Sequence, residues 1–134
     1  MKAVLVDSSV VLDILTHDPV FYRRSLTALT QWGSTHQLGI NIVVYSEVSV
    51  GFSRIEKLNG SLDGAGFVFF DLPREAAFLA GKAFLGYRRR GGNRLSPLPD
   101  FFIGAHAAIT GFPLITRDPR RVRSAFPSVQ IAEP

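Results

Sequence analysis

The 134-residue chain has no cysteine. That absence removes a disulfide framework, a thiolate metal site and a cysteine nucleophile together. Histidine is nearly as scarce, and His17, His36 and His106 have no partners at zinc-ligand spacing, so a zinc enzyme is not expected. No uncharged apolar run approaches the roughly eighteen residues that a membrane span needs. The opening MKAVLVDSSVVLD has one basic residue and a short apolar run, but Asp7 interrupts it and no small-residue cleavage site follows. It reads as a core strand and not as a secretory leader. The expectation is a soluble, cytoplasmic protein. Repeats and low-complexity linkers are also missing, and residues 1–134 have the length of about one domain, able to bury a core without staples.

What is present is apolar and basic. Hydrophobic residues make up 46% of the chain, eleven of them Phe, which excludes a disordered polymer. The net charge of +4 and pI near 10.0 favour polyanionic partners. Much of the basic charge is grouped: Arg88, Arg89, Arg90 and Arg94 precede Asp100, and Arg117, Arg120, Arg121 and Arg123 surround Asp118. A charge run can equally be a solvated surface.

Short apolar runs alternate with amphipathic stretches. KAVLV reads as a buried strand, and SSVVLDIL as a helix entered through a Ser cap. DPVFYRRSLTALTQW starts a helix with Pro at its first position. LGINIV reads as a strand, and VYSEVSVGFSRIEKL as one helix ended by Asn59 and Gly60. FVFFDL is a third strand. PREAAFLAGKAFLGYRRR carries Ala76, Leu79, Ala80, Ala83, Phe84 and Tyr87 on one face. A helix from Asp100 to about Thr110, the strand FPLIT, the short helix DPRRVRSAF and the strand VQIA complete the chain. This alternation predicts an α/β fold, a mostly parallel sheet flanked by helices on both faces.

In such sheets functional groups gather beyond the carboxyl ends of the strands. Asp7 follows AVLV directly, Glu47 lies in the first turn of the helix after LGINIV, Asp100 opens its helix, and Asp118 follows FPLIT. Four acids thus map to one rim. Each has a plain structural alternative: Asp7, Asp100 and Asp118 can all cap helices. Glu47 is flanked one turn away by Val43, Val44, Val50 and Gly51, which suggests an inward face. Crowded carboxylates repel one another and resist desolvation unless a cation compensates. Oxygen-only ligands suit Mg²⁺ or Mn²⁺, and such a site can activate water for displacement at phosphorus.

The ordered set VLVDSSVVLD, VYSEV, LPDFFIGAHA and LITRDPRR resembles the PIN-domain ribonucleases, and among them the VapC-type toxins of toxin–antitoxin pairs. The resemblance spans essentially the whole chain. It implies a Rossmann-like sandwich, Mg²⁺- or Mn²⁺-dependent cleavage of single-stranded RNA, a homodimer, and inhibition by a cognate antitoxin protein that inserts a segment at the site. It carries Asp7, Glu47, Asp100 and Asp118 over as the catalytic, metal-binding set. Ser9 and Thr116 become candidates to contact a ligand carboxylate, although Ser9 can simply cap its helix. Arg88, Arg89, Arg90, Arg94, Arg117, Arg120 and Arg121 are candidates for holding the RNA backbone. Some family members carry a further acid after the fourth, where this chain has Arg120 and Arg121, which puts a fully occupied second metal site in doubt.

Other readings compete. A phosphoacceptor receiver domain also gathers acids around Mg²⁺, but it pairs acids after its first strand and needs a late Lys; here Ser8 and Ser9 follow Asp7, and no Lys follows Lys82. A structure-specific DNA nuclease would use the same chemistry, but long insertions for a duplex are missing. A non-catalytic binding module is opposed by carboxylates set in an anion-binding surface. Asp13 reads as an exposed helix acid, His106 as a hydrogen-bonded core histidine, and Trp32, Phe52, Phe101 and Phe102 as core or dimer contacts.

Overall fold

A computed structural model describes residues 2–93 and 98–134. Its sheet has five strands, β1 (Lys2–Val6), β2 (His36–Ile40), β3 (Phe67–Phe69), β4 (Leu114–Ile115) and β5 (Ile131–Ala132), in the order β3-β2-β1-β4-β5. Every pairing is parallel, so the expected mostly parallel sheet is wholly so. β1 lies at the centre and is buried from Ala3 to Val6. That is why KAVLV is a continuous apolar run instead of an alternating one.

The connections place the helices. α1 (Ser8–Leu15) and α2 (Tyr22–Gly33) lead from β1 to β2, and α3 (Ile42–Ser49) and α4 (Ile55–Gly64) from β2 to β3. The chain then returns across the sheet through α5 (Arg74–Arg89) and α6 (Pro99–Thr110) to β4, and through α7 (Arg120–Ala125) to β5. Right-handed crossovers in opposite directions put α1 to α4 on one face and α5 to α7 on the other. The reversal falls between β1 and β4, which makes their carboxyl ends the switch point of the sheet.

Several boundaries differ from expectation for local reasons. β2 stops at Ile40 because the Asn41 side chain caps α3, accepting from Val43 N and Val44 N at 3.0 Å each. Glu47 therefore lies in the second turn of α3, not the first. The single helix expected from Tyr45 onward is two. Three-residue bonds from Gly51 N to Val48 O and from Phe52 N to Ser49 O tighten and end α3, and α4 then runs through Asn59 and Gly60. α2 begins at Tyr22 and not at Pro19, because the Asp18 carboxylate accepts from Val20 N and Phe21 N at 2.9 Å and holds those residues in a turn.

The core joins the two faces through the sheet. Leu5, Ile40, Leu114 and Ile115 from the strands, Val10, Val44 and Val48 from one helical layer, and Phe101 and Ile103 from the other are all essentially inaccessible. Each such side chain contributes about 1.5–3 kcal/mol relative to exposure. Of the predicted stripe on α5, Ala76 and Ala80 are fully buried, and Leu79, Ala83, Phe84 and Tyr87 pack on the core edge. No described helix is long and apolar enough to cross a membrane.

Candidate active site

Two neighbouring strands deliver the first contact. Leu5 and Val6 of β1 pair with Leu114 and Ile115 of β4, so the residues that follow, Asp7 and Thr116, leave the sheet side by side. Thr116 Oγ1 donates to Asp7 Oδ2 at 2.7 Å and accepts from Asp118 N at 3.1 Å. The capping alternative for Asp7 also holds, since its carboxylate takes the Ser8 N–H at 2.8 Å as the N-cap of α1. One side chain thus starts a helix and occupies the switch point.

Glu47 reaches the same place from α3. Ser8 Oγ donates to Glu47 Oε1 at 2.9 Å and lies 3.5 Å from Asp7 Oδ1, so Ser8 bridges the two acids. Glu47 is half-buried; of its neighbours one turn away Val44 is 1% exposed and Val43 packs against the core, whereas Val50 is 88% exposed, so the inward face holds on one side only. Asp100, near the start of α6, does not cap its helix; Arg121 Nη1 on α7 donates to its Oδ2 at 2.8 Å. Asp118 is the most open of the four acids and stands 3.6 Å from Arg120 Nε. It does not cap α7, whose N-cap is Pro119.

Electrostatics link three of the four. Burial raises the Asp7 carboxyl above its usual range, the charge of Asp100 adds to the rise, and hydrogen bonds from Thr116 and Ser8 oppose it. Glu47 is raised in the same way: burial is the largest cause, the Ser8 bond opposes it, and the charges of Asp7 and Asp100 add to it. The charge of Asp100 thus acts on both Asp7 and Glu47, and that of Asp7 on Glu47. Among the described residues no three acids or histidines are drawn together closely enough to hold a metal ion as they stand. The donor set nevertheless fits a hard divalent cation, because it is oxygen-only and carries negative charge answered, at Asp7 and Glu47, by hydroxyl and amide donors.

The arginines divide. Arg90, Arg120 and Arg121 line a groove of about 610 Å³ that also takes in Tyr87, Asn93 and Asp118. Arg88 lies over the Phe84 ring, 5.9 Å from its centroid, and Arg89 is exposed at the end of α5. Arg117 is committed elsewhere: its Nε and Nη2 meet Asp13 Oδ2 and Oδ1 at 2.8 and 3.1 Å, and its guanidinium lies 4.0 Å over Phe21. Arg94 falls outside the described residues.

The sequence pattern marks neither Ser8 as a bridging hydroxyl nor Asp13 as a buried acid. Ser9, a candidate either to contact a ligand carboxylate or simply to cap α1, is 3.5 Å from Asp7, at the outer limit of a hydrogen bond. Asp13 is not an exposed helix acid; it is 2% accessible and is held by Ser25 Oγ at 2.6 Å as well as by Arg117. His106 is the expected core histidine, 3.0 Å from Asn41 Nδ2, with burial lowering its pKa.

A wholly parallel sheet with carboxylates gathered at its switch point defines an α/β protein with an acidic rim site. A family model described as PIN domain matches residues 4–127. The chain belongs to the PIN-domain family. Its fold is similar to that of a chain in the VapBC2 complex of Rickettsia felis bound to a DNA fragment from their promoter, with a TM-score of 0.75, 14% identity and 98% of each chain covered. A DNA-bound VapBC complex from Salmonella typhimurium gives 0.69 at 19% identity over 99% and 98% of the two chains. FitAcB from Neisseria gonorrhoeae gives 0.64 at 16% identity over 96% and 95%. At these identities the likeness is one of fold. Among curated proteins no relative matches.

Proposed function

We propose that this protein is a metal-dependent endoribonuclease of the VapC type, a toxin that hydrolyses phosphodiester bonds in single-stranded RNA. The observation that carries the reading is the approach of Asp7, Glu47 and Asp100, from β1, α3 and α6, to one place, where Ser8 links Asp7 to Glu47 and the charge of Asp100 reaches both. Asp7, Glu47, Asp100 and Asp118 would hold Mg²⁺ or Mn²⁺. Such a cation supplies charge neutralisation at phosphorus and a stronger water nucleophile. The chain's own residues do the rest. Thr116 and Ser8 hold Asp7 and Glu47 through their hydrogen bonds, and Arg90 and Arg120 in the groove offer positive charge to backbone phosphates.

Because the structural neighbours are toxin–antitoxin complexes, a cognate antitoxin is the natural partner in this reading. A homodimer fits the apolar side chains left open on the α3, α4 and β3 side, where Val50, Ile55 and Phe69 are 88%, 61% and 49% exposed. The test is cleavage of labelled single-stranded RNA by purified protein, with Mg²⁺ or Mn²⁺ against a chelator, and with Asp100→Asn prepared identically. Metal-dependent cleavage that disappears in the variant is expected. Equal cleavage by both proteins, or none by folded, antitoxin-free wild type on several RNAs, would overturn the assignment.

A further inference from the structure

The guanidinium of Arg121, on α7, is bonded to Asp100, one of the four acids at the rim. We propose that Arg121 is an internal counter-ion that a divalent cation must displace from Asp100, and that the released guanidinium passes to a phosphate of the nucleic acid. The proposal rests on the metal-dependent reading above and goes beyond it, because it couples cation loading to substrate binding through one side chain.

Two arginines on the same segment, Arg117 and Arg121, are held in contrasting ways. Arg117 is held by two of its nitrogens to Asp13, whose side chain is 2% exposed, and by the Phe21 ring. It is built in. Arg121 is bonded to Asp100 through Nη1 at 2.8 Å, and the two side chains are 41% and 28% exposed. A partly solvated ion pair of this kind is weak and exchangeable. Asp100 is also the acid whose charge reaches both Asp7 and Glu47, so a cation on Asp100 is felt at both. Arg121 is at the same time part of the groove wall with Arg90 and Arg120. Turning from Asp100 into that groove moves its charge from a carboxylate to the path of a polyanion. By linkage, a phosphate that holds Arg121 frees Asp100 for the cation, and a cation on Asp100 frees Arg121 for the phosphate.

The experiment is calorimetric titration of Mn²⁺ into the full chain, with and without a saturating 2′-O-methyl oligoribonucleotide, for wild type, Arg121→Gln and Arg121→Lys, each checked for fold by circular dichroism. Without oligonucleotide, Arg121→Gln is expected to bind Mn²⁺ roughly five- to tenfold more tightly than wild type, the size of an ordinary coupling. Arg121→Lys keeps the charge and is expected to stay close to wild type. The oligonucleotide should tighten Mn²⁺ binding more in wild type than in Arg121→Gln. Unchanged or weaker Mn²⁺ binding by Arg121→Gln, or a shift in Arg121→Lys as large as in Arg121→Gln, would overturn the proposal while leaving the metal site standing. Failure of wild type itself to bind Mn²⁺ would overturn both.

Discussion

Asp13 and Arg117 meet through two hydrogen bonds, at 2.8 and 3.1 Å, although 104 residues separate them in the chain. Asp13 belongs to α1, the helix that Asp7 caps, and Arg117 stands between Thr116 and Asp118. The pair therefore clamps the segment after β4 onto the helix after β1, and with it two of the polar groups at the site.

Breaking that clamp from one side should be costly. Arg117→Ala leaves Asp13 buried with only Ser25 as a hydrogen-bonding partner, and losing one member of a buried pair typically costs about 3–5 kcal/mol. Urea denaturation should show a loss near the lower end, since Arg117 keeps some solvent contact. The double change Asp13→Leu with Arg117→Met should recover much of it, because no charge is then left buried.

Thr116→Val keeps the shape of the side chain and removes its hydroxyl. Asp7 then loses the 2.7 Å donor that opposes its raised pKa, and Asp118 N loses an acceptor. A cost of about 1–3 kcal/mol is expected for the unsatisfied groups. Nuclease activity should fall by more than the loss of folded protein accounts for, as measured on samples normalised by native circular dichroism.

Asp7→Asn should behave in the opposite direction for stability. Burial holds the native carboxyl above the ordinary aspartate value of 3.8, so between that value and its raised pKa the folded state binds more protons than the unfolded one. Stability of the metal-free protein therefore falls as pH rises through this window. Asparagine caps a helix as well as aspartate does and carries no charge to desolvate. In chelator at neutral pH the variant should melt at or above the wild-type temperature while being inactive on RNA. A clear drop in melting temperature would mean that the charge of Asp7 is already compensated in the metal-free protein.

His106 gives a second pH dependence of opposite sign. Burial lowers its pKa from 6.5, so below pH 6.5 the unfolded chain takes up a proton that the folded chain refuses. Stability from this group is complete above pH 6.5 and is lost as pH falls toward the lowered native value. Comparing melting temperatures at pH 7.5 and 5.5 for wild type and His106→Gln should show a smaller acid loss in the variant.

Gly104 sets the spacing between the helices that carry Asp100 and Arg121. A Cβ there would lie 2.6 and 2.8 Å from the Phe126 ring and 3.3 Å from Val122 Cγ1. Gly104→Ala should therefore push the end of α7 off α6 at a cost of about 1–3 kcal/mol, seen as a lowered thermal midpoint.

Periodicity and composition carried the architecture well. The apolar run KAVLV, the α5 stripe and the alternation of elements predict the sheet and its central strand, because burial on both faces leaves a visible record in sequence. The break between α3 and α4 left none, since GFSRIEKL keeps a helical period while backbone bonds close the first helix at Val48 and Ser49. Asp13 was misread for a related reason. Its partner lies at Arg117, and no local window shows an ion pair formed across the fold. Ser8 and Ser9 are equivalent in sequence; only the position of Glu47, brought in from the next crossover, makes Ser8 the bridging hydroxyl.

The strand order also has a consequence for synthesis. β1 is made first and pairs on one side with β2, but its other neighbour, β4, comes from Leu114–Ile115. Until that segment leaves the ribosome, β1 presents an open edge, and Asp7 lacks Thr116, Asp100 lacks Arg121, and Asp13 lacks Arg117. A nascent chain can build the half of the sheet that holds Asp7 and Glu47 and still possess no assembled site. The acidic site itself would be completed late in translation, once the two-residue strand β4 and the residues just after it are in place.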